Sequence, residues 1–189
     1  MSKTQYYCAS TLDGYIADTD DRIDWLQKYE GSFEGDGVEP IKGSYDRFYE
    51  GVGALIMGSV TYEFVLGEFA GDREWPYAGK PTWVLSSRDL PKPAGEKVDV
   101  RIVSAKVPDL YEEMITAAGD RNLWVVGGGN VASQFADAGL LDELLVTVVP
   151  VALGEGKPLF DRGLPGGPMQ LTGTRAFDSG MVELRYDII

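Results

Sequence analysis

The stretch Leu123–Gln134, LWVVGGGNVASQ, joins four apolar residues to three consecutive glycines and then to the start of a predicted helix. Glycine suits such a corner for two reasons: it tolerates backbone angles that other residues avoid, and it lets a ligand approach the backbone closely. The stretch does not follow the GxGxxG fingerprint of doubly wound dinucleotide-binding folds, because no glycine follows Gly129 within it. It therefore predicts a buried strand that turns into a helix, with a structural and a ligand-binding interpretation both open.

Short apolar runs alternate with helical patterns along most of the chain. The predicted strands are Gln5–Ala9, Ala54–Met57, Thr82–Leu85, Val100–Val103, Leu123–Val126 and Glu143–Val149. The predicted helices are Ser44–Tyr49, Thr61–Leu66, Asp109–Ala118 and Asn130–Ala138. Several strands are too uniformly apolar to have a solvated face, so they belong inside a sheet that helices cover on both sides.

The C-terminal part of the chain has a different pattern. Met169–Phe177 and Met181–Ile188 alternate apolar and polar residues around Asp178-Ser179-Gly180, which predicts an antiparallel hairpin. We therefore expect an α/β fold in a single domain spanning residues 1–189: a mostly parallel central sheet flanked by helices, with a C-terminal antiparallel hairpin.

Composition excludes several classes of function. The 189 residues contain no membrane-length apolar run and no predicted leader, so we expect a cytoplasmic protein without a membrane partner. The formal charge of −13 disfavours nucleic acid as a partner. With no histidine and a single cysteine, Cys8, the chain lacks histidine triads, histidine-ligated zinc and disulfides, and we expect no metal site. Catalysis would depend on other side chains or on an organic cofactor.

A second strand-to-helix corner lies in IMGSVTYE, residues 56–63. Gly58 follows an apolar strand there, and Ser59 and Thr61 begin a predicted helix. Free backbone N–H groups and the helix dipole make such a terminus attractive to anions. The alternative is that Ser59 or Thr61 is simply the N-cap of the helix.

A third corner, WVLSSRDLP at residues 83–91, places two hydroxyls and a guanidinium after another apolar strand. Ser86, Ser87 and Arg88 would bind a phosphate there, or would form a solvated turn. Because the carboxyl ends of parallel strands meet at one edge of a sheet, the three corners together predict a crevice for an extended, phosphate-bearing ligand.

These segments together resemble the dihydrofolate reductase fold, and within it the reductase domain of the riboflavin-biosynthesis deaminase-reductases. The segments found in that family's order are STLDGYIA, IDWL, ALIMGSVTYE, TWVLSSR, WVVGGGNVASQF and AGLLDELLVTVVPVALGEGKPLF. The resemblance implies an NADPH-dependent reductase for a small heterocyclic substrate, with phosphoribosylaminouracil of riboflavin biosynthesis as one candidate. Homodimers are common among these relatives, so the resemblance also implies a homodimer.

The resemblance also implies a cofactor site. The corner Gly127–Gly129 would carry a non-proline cis peptide and lie against the nicotinamide and the pyrophosphate, which gives its glycines a functional role. Leu12–Ala17 would run beneath the nicotinamide, and Ser86, Ser87 and Arg88 would face the 2′-phosphate of the adenosine. The complete set is Ala17, Gly58, Ser59, Thr61, Ser86, Ser87, Arg88, Gly127, Gly128, Gly129, Asn130 and Val131.

Two positions depart from the family pattern. Ser59 stands where relatives usually carry arginine, so the grip on a 2′-phosphate would depend on Arg88, and the choice between NADPH and NADH is open. Val126 stands where riboflavin reductases commonly carry an acidic residue, which bears on the identity of the substrate.

Five residues are candidates for catalysis or substrate binding. Asp13 is the predicted proton donor beside the nicotinamide, with a turn as the alternative. Glu30 lies five residues after Trp25, a spacing similar to that of the proton-delivering carboxylate in dihydrofolate reductases; its alternative is an exposed loop position. Asp24 and Trp25 would form a substrate-side wall, unless Asp24 is a helix N-cap. Thr147 would hydrogen-bond a heterocycle or only fill a sheet position.

Two other functions fit the same sequence. One is a non-catalytic nucleotide-binding or regulatory domain that keeps the crevice without turnover. The other is a true dihydrofolate reductase, which would bind antifolates tightly.

Overall fold

A computed structural model describes residues 2–27, 41–69 and 74–189. The strands are β1 Thr4–Thr11, β2 Tyr15–Ala17, β3 Val52–Gly58, β4 Thr82–Leu85, β5 Val100–Val103, β6 Asn122–Gly127, β7 Glu143–Val149, β8 Lys157–Pro158, β9 Gln170–Ala176 and β10 Val182–Asp187. The helices are α1 Asp24–Gln27, α2 Ile41–Glu50, α3 Ser59–Glu68, α4 Val107–Ala118 and α5 Gly129–Asp137. None of these helices combines the length and the apolar character that a bilayer crossing requires.

Eight strands form one sheet in the order β5-β4-β3-β6-β1-β7-β10-β9. The strands from β5 to β7 are parallel to their neighbours, whereas β10 pairs antiparallel with both β7 and β9. The expected parallel sheet with a C-terminal antiparallel hairpin is therefore confirmed. Because the parallel strands run in one direction, the loops that follow β1, β3, β6 and β7 emerge at the same edge.

The apolar strands are buried because both faces of the sheet are covered. One face packs under α4 and α5, where Met114 and Phe135 are fully buried against strand residues such as Ile56. The other face packs under α2 and α3, with Phe48 and Tyr62 buried in a separate cluster. Alternate residues of each central strand thus enter different cores, which explains the nearly continuous apolar runs.

Some boundaries differ from the sequence prediction. Helix α3 begins at Ser59 and α4 at Val107, each two residues earlier than expected, and Pro108 lies in the first turn of α4. Strands β2 and β8, of three and two residues, form a separate small sheet that the pattern does not predict. They are too short for a periodicity to be recognised, and β8 lies between the predicted strand Glu143–Val149 and the predicted hairpin.

Candidate functional site

A cleft of about 640 Å³ opens at the carboxyl edge of the parallel strands. Its lining draws on the middle of β1 and β7, on the carboxyl end of β6, on the first turns of α3 and α5, and on the small sheet of β2 and β8. Of the predicted cofactor-binding residues, the lining contains Ala17, Thr61, Gly127, Gly128, Gly129 and Asn130. Residues of two of the three predicted corners thus line one cleft.

Each of the three glycines in the corner Gly127–Gly129 is required for a different structural reason. Gly128 has φ 92° and ψ 105°, a conformation that L side chains rarely adopt. A Cβ atom on Gly127 would lie 3.0 Å from the Thr61 hydroxyl oxygen, and one on Gly129 would lie 2.5 Å from the Pro158 carbonyl oxygen. All described peptide bonds are trans, so the cis peptide expected within Gly127–Gly129 is wrong. The chain turns through the positive φ of Gly128 instead.

Two helices begin at the cleft without a side-chain cap. Gly128 is the N-cap of α5 and Gly58 the N-cap of α3, and neither cap makes a side-chain hydrogen bond. The alternative that Ser59 or Thr61 caps α3 is therefore wrong, because both residues are inside the helix. Backbone N–H groups at such ends point outward and the helix dipole is positive there, so both ends attract anions. Since the first turns of both helices line one cleft, their attraction for an anion adds up.

Three predicted residues lie just behind the cleft wall. Gly58 and Ser59 form the junction between β3 and α3, but the next residue, Val60, is the one that lines the cleft. Val131 is buried, and its Cγ2 lies 3.4 Å from where a Gly58 Cβ would be. Val131 thus packs the two helix termini against each other, and it is not among the residues that line the cleft.

The third corner lies on the same edge of the sheet but outside the cleft lining. Leu85 pairs with Gly58, so Ser86 follows at the level of the α3 N-terminus. The Ser86 hydroxyl accepts a hydrogen bond from the Arg88 backbone N–H at 3.0 Å. The Arg88 guanidinium forms a two-point ion pair with Glu63 of α3, with N–O distances of 3.0 and 2.5 Å. Arg88 is thus held beside α3, one strand away from the cleft.

A wall of aromatic side chains lines the cleft, and the sequence analysis did not predict it. Its cleft-lining members are Tyr7, Tyr45, Tyr77 and Trp124. The Trp124 ring centroid lies 5.6 Å from that of Tyr77 and 6.0 Å from that of Tyr45, both edge to face. The Trp124 indole N–H donates to the Tyr7 carbonyl oxygen at 3.1 Å. This network fixes the rings before any ligand arrives.

Thr147 brings a hydroxyl to the same wall. It is buried in β7, lines the cleft, and lies within hydrogen-bonding reach of the Tyr7 phenol. Burial raises the pKa of Tyr7, and burial also raises the pKa of Tyr45 to about 12. Both phenols are therefore protonated at neutral pH and are available as hydrogen-bond donors.

Charged side chains also line the cleft. Asp21, Lys157 and Asp161 all line it, and the Lys157 ammonium lies 3.6 Å from an Asp21 carboxylate oxygen. Asp161 accepts a hydrogen bond from the Asn130 side-chain amide at 2.6 Å. Asn130, expected to face a ligand, is thus oriented by Asp161 at the start of α5.

Asp13 anchors a loop and does not line the cleft. Its carboxylate accepts hydrogen bonds from the Thr11 hydroxyl at 2.6 Å, from the Gly154 N–H at 2.7 Å and from the Leu153 N–H at 3.0 Å. These bonds, that from Thr11 first, lower the pKa of Asp13. A carboxyl group that is more acidic than usual is a poor proton donor at neutral pH, so this geometry supports the turn alternative and argues against a catalytic role.

The substitution Asp13→Asn tests the anchoring role. The amide N–H₂ of the new side chain would face N–H donors that need an acceptor, so we expect a lower melting temperature at neutral pH. Because the pKa of Asp13 in the folded state is below the ordinary 3.8, the ionised group stabilises the fold above that pH, and its contribution disappears as the pH falls further. The melting temperatures of the unmodified chain and of the Asp13→Asn variant should therefore become more alike as the pH is lowered from about 7 to about 2.5. Loss of turnover with unchanged stability would instead restore Asp13 as the proton donor.

The segment around α1 contributes to the cleft through other residues than expected. Asp24 is exposed at the start of α1, and Trp25 is buried with Phe177 and Met181 in a third core cluster. Ile23 and Leu26 line the cleft instead. A four-residue helix presents only part of its surface to the ligand side, and the pattern IDWL does not reveal which part. Glu30 lies outside the described residues.

The sequence of this chain matches a known protein family and a curated bacterial protein. The family model "RibD C-terminal domain" matches residues 75–183 of the chain. The chain is also 32% identical over 184 residues to "Uncharacterized protein YwjB" of Bacillus subtilis (strain 168), a match that covers 97% of both sequences.

Solved structures show the same architecture. A putative riboflavin biosynthesis protein from Shewanella sp. PV-4 has a TM-score of 0.77 and 29% identity, covering 98% of both chains. A Thermotoga maritima diaminohydroxyphosphoribosylaminopyrimidine deaminase/5-amino-6-(5-phosphoribosylamino)uracil reductase has a TM-score of 0.62 and 18% identity, covering all of this chain and 57% of its own. The second likeness concerns the fold alone. The expected dihydrofolate reductase-like fold is confirmed.

Proposed function

Because this chain belongs to the RibD C-terminal domain family, a family of reductases, we propose that it is an NADPH-dependent reductase for a small heterocyclic substrate. The observation that carries the proposal is the pair of uncapped helix N-termini, those of α3 and α5, which meet in a cleft of about 640 Å³. A dinucleotide carries a pyrophosphate, and two positive helix ends are suited to hold it.

The chain's own residues divide the tasks of cofactor binding. The first-turn amides of α3 and α5 would hold the pyrophosphate, and Gly128 leaves room for it because it has no side chain. Ala17 would lie against the nicotinamide ring. Ser86, Ser87 and Arg88, one strand further out, would hold the 2′-phosphate. When bound, the reduced nicotinamide supplies the hydride.

The aromatic wall supports a planar substrate. Rings of a pyrimidine or a pteridine stack favourably against Tyr and Trp side chains, and the Tyr7 and Thr147 hydroxyls would hydrogen-bond the ring's edge. The wall holds such a ring in one plane and excludes water from the reacting face, which is what hydride transfer requires of the protein. Within this class, phosphoribosylaminouracil is the candidate that the family suggests.

Tryptophan fluorescence tests cofactor binding directly. Trp124 lines the cleft, so titration with NADPH should give saturable quenching, and Trp124→Phe should remove most of it. Trp83→Phe is the matched control: Trp83 is likewise a buried strand residue, but it lies under α4 and α5, beneath the Arg101 guanidinium, and outside the cleft lining. Absence of saturable quenching by both NADPH and NADH in the unmodified chain would reject the proposal.

A second candidate function is nucleotide binding without turnover. The observation in its favour is that the predicted proton donor Asp13 is fully engaged in holding a loop. Under this alternative, NADPH would bind but would not be oxidised with any acceptor in a panel of pterins, aminouracils, and nitro and carbonyl compounds. Oxidation of NADPH with any of these acceptors, measured as loss of the reduced-nicotinamide absorbance, would favour the reductase.

A further inference from the structure

A second cavity, of about 420 Å³, lies next to the cleft on the sheet face that α2 covers. Its charged lining residues are Arg47 of α2, Arg175 of β9, and Arg185 and Glu183 of β10. Three positive groups and one negative group give this lining a net charge of +2, in a chain whose formal charge is −13. We refer to it as the arginine cavity.

The cleft has the opposite balance of charge. Asp21 and Asp161 face a single Lys157 there, so the charged lining residues of the cleft sum to −1. Among charged side chains alone, the arginine cavity therefore attracts an anionic group more strongly than the described walls of the cleft do, where the backbone N–H groups of the helix ends are the donors.

The sheet register places the cationic groups together. Arg185 pairs with Gly173 of β9, and Glu183 pairs with Arg175. Residues two apart on a strand share a face, so both rows point to the same side. Gly173 has no side chain, which leaves the space beside Arg185 open. Arg47 and Arg175 already have interaction partners within the chain, so an anion would share or displace them.

A hydroxyl group also belongs to the lining. Ser44 lies one helical turn before Arg47, and its hydroxyl donates to a Glu183 carboxylate oxygen at 2.6 Å. Thr172 and Thr174 of β9 also contribute to the lining, but by the same alternation their side chains lie on the other face of the strand. Guanidinium groups with neighbouring hydroxyls are the usual donors for phosphate and carboxylate oxygens.

The arginine cavity adjoins the cleft. Tyr7 lines both spaces. On β7, Leu145 lines the arginine cavity and Thr147 lines the cleft, two residues and about 7 Å further along the same face. Thr147 is also the register partner of Glu183. A molecule with a ring beside Thr147 would need only a short linker to reach the arginines.

We propose that the arginine cavity is an anion-binding site for a phosphate or carboxylate group. The anion is either the acidic tail of a molecule whose ring occupies the cleft or a free anion, since the same groups recognise both. The site itself does not depend on the reductase activity, and only the link to a ring in the cleft rests on the proposed function.

Isothermal calorimetric titration with inorganic phosphate at constant ionic strength tests the site. We expect saturable binding that weakens about tenfold or more in the double variant Arg175→Gln/Arg185→Gln. Arg101→Gln is the control: it removes one guanidinium charge, against two in the double variant, from β5 at the opposite edge of the sheet. Circular dichroism verifies that each variant is folded. No saturable binding in the unmodified chain, or equal weakening in the control, would overturn the proposal.

A pair of nucleosides identifies the source of the anion. If the anion is a tail, uridine 5′-monophosphate should bind about tenfold or more tightly than uridine, and the double variant should lose this preference. If the anion is free, phosphate binds but the two nucleosides bind alike. A monophosphate preference that survives in the double variant contradicts the site. NADPH titration keeps the two proposals separate, because the double variant should bind NADPH like the unmodified chain.

Discussion

Replacing Gly129 by alanine is expected to destabilise the fold and to abolish cofactor binding. The new Cβ would lie 2.5 Å from the Pro158 carbonyl oxygen and 2.9 Å from that of Leu159, and backbone atoms cannot swing aside as a side chain can. Leu159 is further fixed, because its carbonyl accepts from the Tyr6 hydroxyl and its N–H donates to the Gly14 carbonyl. We expect a loss of about 1–3 kcal/mol of unfolding free energy, together with displacement of β8 from α5.

The measurement is urea denaturation combined with NADPH titration. Gly67→Ala is the matched control: Gly67 lies inside α3, and a Cβ there would meet nothing within 4 Å. That variant should gain about 0.5–1 kcal/mol, because alanine is the better helix residue. If Gly129→Ala is as stable as the unmodified chain, the contact between α5 and β8 is not as close as the structure has it.

Replacing Arg88 by alanine is expected to weaken NADPH binding about tenfold or more and to leave NADH binding unchanged. A charge-assisted hydrogen bond to the 2′-phosphate contributes about 1.5–3 kcal/mol, and NADH has no such phosphate. In the structure the Arg88 guanidinium donates two hydrogen bonds to the Glu63 carboxylate. Glu63→Gln removes the charge that competes for Arg88, so it should raise the affinity for NADPH and leave the affinity for NADH unchanged. The pair is about half exposed, so its loss changes stability little and does not confuse the result.

Parallel fluorescence titrations with both cofactors check this prediction. The quantity to compare is the ratio of the two dissociation constants in each variant. Equal weakening of NADPH and NADH by Arg88→Ala would show that Arg88 supports the fold of the corner. No change with either cofactor would place the 2′-phosphate elsewhere.

Most of the sheet could be predicted from the sequence because its strands have a strong local signal. Thr82–Leu85, Val100–Val103 and Glu143–Val149 consist mostly of apolar or β-branched residues, and the structure has them with the same bounds. The short pieces β2 and β8 had no such signal. Their pairing depends on a contact between residues 15–17 and 157–158, which no local pattern encodes.

The candidate site was predictable only in its backbone. Glycines mark where the chain must turn or approach closely, so Gly127–Gly129 and Gly58 were found. The aromatic wall was not predicted, although Trp124 lies within the stretch Leu123–Gln134. In a strand that is buried on both faces, the sequence does not reveal which residue points to which side of the sheet. The hydrogen-bond partners of Asp13 could not be predicted for a related reason. Its partners Leu153 and Gly154 follow far along the chain, and only the fold brings their N–H groups to its carboxylate.

The place of β1 in the middle of the sheet has a consequence for synthesis. Its partners β6 and β7 come late: Thr4 pairs with Leu123, and Gln5 with Glu143. On the ribosome, the segment TQYYCAST emerges long before either partner has been translated, and it must wait as an unpaired apolar strand. The centre of the sheet therefore assembles only after residue 149 has been translated. Until then, this segment exposes apolar side chains and unpaired backbone groups to which a chaperone can bind.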